Sequence, residues 1–295
     1  MSETTLRFDA IGTGWELDTV LPLEPDTAEA VASRIDRFDR TWSRFRSDAF
    51  VARFAQGPVS TAFPDDARDD AIALFDTYRR LHDVTGGAMT PFIGASLERL
   101  GYDAAYTLVP QGPALAAPAW DDVARWDGEV LETDRPLVID IGAAGKGRLV
   151  DLVADVLVEH GHEAFTIDAS GDLRHEHGSG APEPLRIALE HPYDPRKAIG
   201  VATIESGALC ASAVNRRAWG EGLHHVIDGR TGEPTATVAA TWVTAGQAMV
   251  ADGLATALFF TDHESLSGAF ACESVRMFTS GLTDRSAGFP GELFT

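Results

Sequence analysis

Asp252 and Thr256 are the residues whose types and spacing most directly suggest chemistry. They lie four positions apart in Ala251-Asp-Gly-Leu-Ala-Thr-Ala257, and positions i and i+4 share one face of a helix. A carboxylate and a hydroxyl on one face can bind a hard cation such as Mg²⁺, which takes oxygen ligands. The alternative is structural: a buried helix in which the Thr is satisfied internally and the Asp acts as a cap.

A glycine-rich turn lies in Ile139-Asp-Ile-Gly-Ala-Ala-Gly-Lys-Gly147. Glycines let backbone amides and carbonyls approach a ligand closely, and Lys146 adds a positive charge that suits phosphate. The spacing is not that of a Walker A loop, which has four residues between its glycines and a Ser or Thr after the Lys. The segment is therefore either a ligand loop or an ordinary strand-to-helix turn.

Two further segments place polar groups at tight turns. Ala169-Ser-Gly-Asp-Leu173 is a glycine turn that ends in an Asp, a pattern that is usually structural. His225 and Asp228 stand three residues apart before the turn at Thr231-Gly232. This spacing is suited to a general base and the group that orients it. The alternative is a strand that runs into a hairpin.

These segments need helices and strands to position them, and the hydrophobic pattern predicts both. Helices are expected at residues 26–45, 65–82, 148–160 and 247–260, and a helix–strand pair at 266–278. Strands are expected within 6–20 and at 137–141, 164–167, 185–190, 199–204, 224–227 and 238–243. The Ala- and Pro-rich stretch 104–120 predicts a surface excursion. The arrangement indicates an α+β fold or a mixed sheet, in a single domain over residues 1–295.

Composition narrows the class of protein. The chain has 295 residues, of which 44% are hydrophobic, enough for a substantial core. A net charge of -21 argues against non-specific nucleic-acid binding, although a bound cation can reverse the sign locally for a phosphate ligand. Cys210 and Cys272 are too few for a disulfide framework. His175 and His177 have zinc-ligand types but no supporting Cys or His, so they predict an exposed loop.

The first residues, Met-Ser-Glu-Thr-Thr-Leu-Arg, contain no basic start, apolar run or small-residue cleavage site. They match no lipidation motif either. No stretch approaches the ~18 uninterrupted apolar residues that a spanning helix needs. We therefore expect a cytoplasmic protein with no membrane partner.

Taken in order, these segments resemble those of the FAD:protein FMN transferases, the ApbE type of flavin transferase. The matching segments are Gly12-Thr13, Ser43–Arg46, Thr85–Pro91, Asp140–Gly147, Ser170–Asp172, His225–Gly232 and Ala251–Thr256. The resemblance covers nearly the whole chain. It implies an α+β fold related to the T-fold, with mixed sheets, flanking helices and two lobes around a FAD cleft.

The resemblance also implies an activity and a role for each residue. Enzymes of this type move the FMN part of FAD to a Thr or Ser hydroxyl of an acceptor protein and release AMP, with a divalent cation such as Mg²⁺ on the diphosphate. The side chains of Asp252 and Thr256 and the carbonyl of Gly145 would bind this cation. His225 would be the base toward the acceptor hydroxyl, with Asp228 in the same catalytic motif. The segments that line the FAD site supply Thr13, Asp140, Lys146, Ser170, Gly171, Asp172 and Thr231.

The chain departs from the family pattern at several positions. Those that usually hold Met, Asn, Asp, Gly and Pro are here Ile11, Ala55, Thr90, Ser170 and Gly229; the cation-binding carbonyl usually belongs to Ala rather than Gly. Most of these changes fall in the flavin and adenine walls rather than at the cation. Two alternatives stay open: a FAD pyrophosphatase that gives FMN and AMP, and a non-catalytic flavin-binding protein.

Overall fold

Helices and strands in this protein follow the periodicity of its apolar residues. The structure, a computed structural model, describes residues 4–179 and 184–294. The α-helices are Pro25–Trp42 (α1), Arg68–Val84 (α2), Gly94–Arg99 (α3), Trp120–Val123 (α4), Gly145–Glu159 (α5), Ala248–Ala257 (α6) and His263–Ala269 (α7). Short 3₁₀ segments lie at Phe50–Ala55, Asp65–Ala67 and Pro91–Ile93. The strands are Thr4–Ala10 (β1), Thr13–Thr19 (β2), Val59–Ala62 (β3), Ala124–Trp126 (β4), Val130–Thr133 (β5), Ala164–Asp168 (β6), Asp172–His177 (β7), Leu185–His191 (β8), Asp194–Ile204 (β9), Gly207–Ala213 (β10), Ala218–Trp219 (β11), Leu223–His224 (β12), Val238–Ala245 (β13), Cys272–Phe278 (β14), Thr283–Arg285 (β15) and Gly291–Leu293 (β16).

The strands form one large sheet and three small ones. The large sheet has eight strands in the order β1-β2-β6-β7-β10-β13-β14-β15. The small sheets have the orders β16-β9-β8, β3-β5-β4 and β11-β12. Every strand pair within residues 4–179 and 184–294 is antiparallel. The predicted α+β class, with flanking helices, is confirmed.

Helices cover one face of the eight-stranded sheet, and a small sheet covers the other. On α5, Leu149, Val153 and Leu157 recur every four residues, are fully buried and share a core with residues of β2 and β6. Each such side chain stabilises the fold by roughly 1.5–3 kcal/mol. On the opposite face, Leu209 and Trp242 share a second core with the sheet β16-β9-β8. The period of two along β10 therefore separates the two cores.

Most predicted elements are present. The pair of strands expected within residues 6–20 is the hairpin β1–β2, whose two-residue turn has positive φ at Ile11 (45°) and Gly12 (75°). The helices expected at 26–45, 65–82, 148–160 and 247–260 are α1, α2, α5 and α6, and the pair at 266–278 is α7 and β14. Residues 104–119 contain neither helix nor strand, as expected for the surface excursion. A single domain over 1–295 stays a prediction.

The strand predicted at 137–141 is wrong. The backbone groups of this segment pair with two 3₁₀ segments and the start of α3 instead of with a strand. The amide of Leu137 donates to the Phe54 carbonyl (2.8 Å), and that of Asp140 donates to the Pro91 carbonyl (2.8 Å). The carbonyl of Val138 accepts from Gly94 (3.2 Å). The apolar run predicts burial correctly, and Leu137 and Ile139 are buried, but it does not reveal which backbone lies beside it.

Two other predictions of secondary structure differ from the structure. The strand at 224–227 shortens to β12 plus an isolated bridge between Ile227 and Pro234. His175 and His177 lie in β7 rather than in an exposed loop, because β6 and β10 pair with β7 on either side. The ring of His175 hydrogen-bonds to Thr166 on β6 (Nδ1 to Oγ1, 2.9 Å). The polar residues of β7 therefore led to the prediction of a loop where the structure has a central strand.

Candidate active site

A cleft of about 1180 Å³ opens beside the helix face and gathers most of the predicted site residues. The residues that line it include Thr13, Asp140, Gly145, Lys146, Ser170, Gly171, Asp172, His225, Asp252 and Thr256. Its volume lies at the upper end of small-molecule sites, which are typically about 300–1,000 Å³. Segments more than two hundred residues apart in sequence therefore meet at one place.

The close approach of α5 and α6 positions Asp252. A Cβ atom on Gly147 would lie 2.2 Å from the Ala248 carbonyl oxygen and 2.7 Å from the Asp252 Cβ, so only glycine allows this contact. The amide of Gly147 donates to Asp252 Oδ2 at 2.9 Å. Burial, and then the negative charge of Asp172, raise the pKa of Asp252 well above its usual value. A bound cation would offset both effects.

A second contact joins the same two helices. The N-cap residue of α6, Gln247, makes no side-chain cap hydrogen bond. Instead Asp151, one turn after Gly147 on α5, accepts from the amides of Ala248 (2.9 Å) and Met249 (2.9 Å). The first turn of α6 thus has its free amides satisfied by a carboxylate from α5.

The residues present fit a hard divalent cation. Asp252 is 7% exposed, and Thr256 lies one helical turn later on the same cleft wall. Gly145 begins α5 and lines the same cleft. These three supply only oxygen donors, as Mg²⁺ prefers. Among the described residues, no group of three or more His, Cys, Asp or Glu side chains is placed to hold a metal ion, so the further ligands of a cation at Asp252 would be substrate and water.

Lys146 and Asp172 form a buried ion pair at the back of the cleft. Lys146 Nζ lies 3.1 Å from Asp172 Oδ2 and donates to the Ala169 carbonyl at 2.8 Å. Burial lowers the pKa of Lys146, but Asp172 and then Asp252 outweigh burial and raise it overall. Burial raises the pKa of Asp172. The ion pair falls short of hydrogen-bond geometry, and no other described group hydrogen-bonds to the Asp172 oxygens.

The turn at Ser170-Gly171 is held by its own contacts. Both residues have positive φ, 54° for Ser170 and 99° for Gly171, and positive φ is uncommon for serine. Ser170 Oγ donates to the Gly14 carbonyl (2.9 Å), and the Gly171 amide donates to Asp168 Oδ1 (2.9 Å). The turn therefore presents its backbone to the cleft in one fixed conformation, close to the Thr13 end of the hairpin β1–β2.

Asp140 positions other parts of the cleft. Its Oδ2 accepts from Arg44 Nε (2.5 Å), and its Oδ1 accepts from the Gly142 amide (2.6 Å). Arg44 is almost fully buried, donates to the Tyr102 carbonyl (2.8 Å) and lies over the Phe45 ring (4.2 Å). Arg44 had no role assigned from the sequence, although it falls inside the matching segment Ser43–Arg46.

An aromatic wall was also missed by sequence reasoning. Phe45 stacks on Tyr106 with 5.1 Å between ring centroids, and Tyr102 stacks on Trp219 at 5.6 Å. All four rings line the cleft. Flat aromatic surfaces of this kind suit a planar ring system. The rings come from distant parts of the sequence, so only Phe45, in a matching segment, gave any signal.

His225 reaches the cleft with an unpartnered ring nitrogen. Its side chain is half-buried, and no described group hydrogen-bonds to Nδ1. Burial, and then the positive charge of Arg217, lower the pKa of His225 to about 3. The ring is therefore neutral near pH 7 and can accept a proton.

Asp228 and Thr231 are the predicted site residues that the structure does not bring into the cleft lining. Asp228 accepts from Arg230 (Nε to Oδ1, 2.9 Å; Nη2 to Oδ2, 2.6 Å), and no described contact joins it to His225. Thr231 Oγ1 accepts from the Glu233 amide (3.1 Å). In the same turn the Gly229 amide donates to the Ala88 carbonyl (2.8 Å), a bond that proline could not make. The catalytic role of Asp228 and the ligand role of Thr231 stay predictions.

The fold thus combines in one cleft cationic side chains, flat aromatic faces, and a carboxylate one helical turn from a hydroxyl. Residues 11–275 match the ApbE family. The chain belongs to that family.

Named relatives agree with this assignment. The chain is 27% identical to a FAD:protein FMN transferase of Klebsiella pneumoniae (strain 342), over 88% of this chain and 79% of the relative. It is 30% identical to one of Vibrio cholerae serotype O1, over 75% of this chain and 69% of the relative. The crystal structure of the ApbE protein of Thermotoga maritima superposes with a TM-score of 0.82 at 21% identity, covering 99% of this chain and 100% of that one. The flavin transferase ApbE of Vibrio cholerae gives a TM-score of 0.78 at 21% identity, covering 98% of both. None of the helices in the described part of the chain is long and apolar enough to cross a membrane.

Proposed function

We propose that this protein transfers the FMN part of FAD to a Thr or Ser hydroxyl of an acceptor protein, in a Mg²⁺-dependent reaction that releases AMP. The observation that carries the proposal is that one cleft contains the oxygen donors of Asp252 and Thr256, the Lys146–Asp172 pair and the neutral ring of His225. The relatives named FAD:protein FMN transferase support the same activity.

Most of the site residues would bind FAD and the cation, and His225 would transfer the proton. Asp252, Thr256 and the Gly145 carbonyl would hold the cation, which when bound neutralises charge on the diphosphate. The turns at Gly142–Gly147 and Ser170–Asp172 would orient the diphosphate and flavin, and the Lys146–Asp172 pair joins these two turns. The aromatic wall offers a face for a ring of the dinucleotide.

His225 would take the proton of the acceptor hydroxyl at a ring nitrogen. A bond forms between the acceptor oxygen and the phosphorus of the FMN part, and the bond from that phosphorus to the AMP phosphate oxygen breaks. The bonding electron pair leaves with AMP. An anionic diphosphate in the cleft offsets the charge of Arg217 and raises the pKa of His225 above its value in the empty protein. A base within reach contributes roughly 10²–10⁴-fold.

Mass spectrometry of candidate acceptors incubated with the protein, FAD and Mg²⁺ tests the proposal, with AMP measured in the same samples. The proposal requires FMN on a Thr or Ser of one acceptor and an equal amount of AMP. AMP without a modified protein would instead make the protein a FAD pyrophosphatase. Bound FAD without AMP would make it a flavin-binding protein. A cytoplasmic location stays a prediction that cell fractionation tests.

A further inference from the structure

The cations that line the cleft differ in what neutralises them. Within the described residues they are Arg44, Lys146, Arg216 and Arg217. The first three each have a carboxylate partner: Arg44 with Asp140 at 2.5 Å, Lys146 with Asp172 at 3.1 Å, and Arg216 with Glu190 at 3.0 Å. Among those same residues, Arg217 alone has no carboxylate within ion-pair distance and no side-chain hydrogen bond. Arg217 is an exposed residue in the cleft lining, so its charge is available to a ligand.

Arg217 lies beside His225, the residue proposed to take the proton during transfer to the acceptor. Its carbonyl accepts from the His225 amide at 3.2 Å, which places the two residues side by side, Arg217 just before β11 and His225 just after β12. After burial, the positive charge of Arg217 is the next cause that lowers the pKa of His225. The same charge opposes the rise that burial causes in the pKa of Tyr102. Arg217 therefore lies in the cleft lining next to the candidate proton acceptor.

We propose that Arg217 binds the diphosphate of the dinucleotide and neutralises the charge that develops on the phosphate of AMP as it leaves. This inference rests on the proposed function. The planar guanidinium presents paired N–H groups that match two phosphate oxygens, and it stays protonated throughout. The acceptor proton goes to His225, and the electron pair of the broken P–O bond goes to AMP. Arg217 thus changes neither its proton count nor its covalent bonds and acts only as the charge partner.

Arg216 provides a matched control. It is adjacent in sequence, equally exposed and also at the cleft, but Glu190 already neutralises it. Arg216→Met and Arg217→Met remove the same charge from neighbouring positions and change the net charge equally. A general effect of net charge would appear in both variants, whereas a specific phosphate contact would appear only in Arg217→Met.

The test measures FAD and riboflavin binding by flavin fluorescence, with Mg²⁺ present, in the full chain and both variants. Arg217→Met should weaken FAD binding at least about tenfold, as expected when a charged hydrogen bond to an anion is lost. It should leave riboflavin binding unchanged, because riboflavin has no phosphate. Arg216→Met should change both affinities less than about threefold. Arg217→Lys should recover part of the affinity for FAD, since lysine restores the positive charge but not the paired N–H donors of the guanidinium.

The outcomes separate the two proposals. If the unchanged protein neither binds FAD nor releases AMP, the proposed function fails, and the role of Arg217 fails with it. If the unchanged protein does both and Arg217→Met matches Arg216→Met, the role of Arg217 alone is refuted. Equal losses of FAD and riboflavin affinity would also refute it. The melting temperature checks folding, and Arg217→Gln replaces Arg217→Met in the same comparison if the Met variant proves unstable.

Discussion

Replacing Gly147 by alanine tests the contact that positions the candidate cation ligand. The added Cβ would lie 2.2 Å from the Ala248 carbonyl oxygen and 2.7 Å from the Asp252 Cβ. Neither neighbour is the end of a flexible side chain, so α5 and α6 must separate. Separation would also stretch the 2.9 Å hydrogen bond from the Gly147 amide to Asp252.

The size of the effect follows from opposing contributions. Forcing a group into a packed site costs about 1–3 kcal/mol, and a weakened hydrogen bond to a buried carboxylate costs about 1–3 kcal/mol more. Alanine has a better helix propensity than glycine by about 1 kcal/mol, which offsets part of this. We expect Gly147→Ala to lower the free energy of unfolding by about 1–5 kcal/mol.

Gly268→Ala is the matched control, because Gly268 also lies in a helix, α7. A Cβ there meets nothing within 4 Å, so only the helix propensity changes, and we expect a gain of roughly 0.5–1 kcal/mol. Urea unfolding followed by tryptophan fluorescence measures both variants, with the m-value checked for two-state behaviour. If Gly147→Ala stabilises the protein as Gly268→Ala does, the close approach of α5 and α6 is not a constraint and the explanation of the glycine is wrong.

Four further predictions concern the cleft. Asp252→Asn should abolish Mg²⁺-dependent AMP release while circular dichroism stays unchanged; a folded variant that retains wild-type release would remove Asp252 from the cation site. FAD should raise the melting temperature, and raise it further with Mg²⁺, by about 2.7 kcal/mol of stabilisation at a hundredfold excess over Kd; no shift near millimolar FAD would contradict a FAD protein. His225→Ala should leave FAD binding close to wild type but reduce transfer at least about 100-fold; lost binding would indicate a positioning role instead. Because the pKa of His225 is lowered from 6.5 to about 3 on folding, the unfolded chain binds more protons below pH 6.5, so stability falls as pH falls through that window. By pH 5 this amounts to about 2 kcal/mol, and His225→Gln should flatten the decline measured by urea unfolding between pH 7 and 5.

Local patterns predict the helices well but not the sheet. The amphipathic helices α1, α2 and α5 follow directly from apolar residues on one face, because that face must be buried. The strand β10 (Gly207–Ala213) was not predicted, since glycine and alanine give it little β propensity. Its partners β7 and β13 lie far away in sequence, and pairing between distant segments leaves no local signal.

In the candidate site, too, local spacing predicted some features, whereas contacts between distant residues could not be predicted. The helical spacing of Asp252 and Thr256 puts them on one cleft wall, as i and i+4 geometry requires. The three-residue spacing of His225 and Asp228 does not bring their side chains into a hydrogen bond. The carboxylate of Asp228 forms an ion pair with Arg230 instead. The sequence could not reveal this competition. It also could not reveal that, among the described residues, Arg217 has no carboxylate within ion-pair distance. Both depend on which side chains the fold brings within a few ångströms.

The two contacts between α5 and α6 have a consequence for the evolution of this protein. Gly147 donates to Asp252, and Asp151 accepts from the first turn of α6. Hydrogen bonds from two successive turns of α5 thus join it to α6, the helix of the candidate cation ligand. Substitutions on one helix therefore change the fitness of substitutions on the other. We expect the two segments to diverge together, so that exchanging either helix alone with that of a distant relative would impair the protein more than exchanging both.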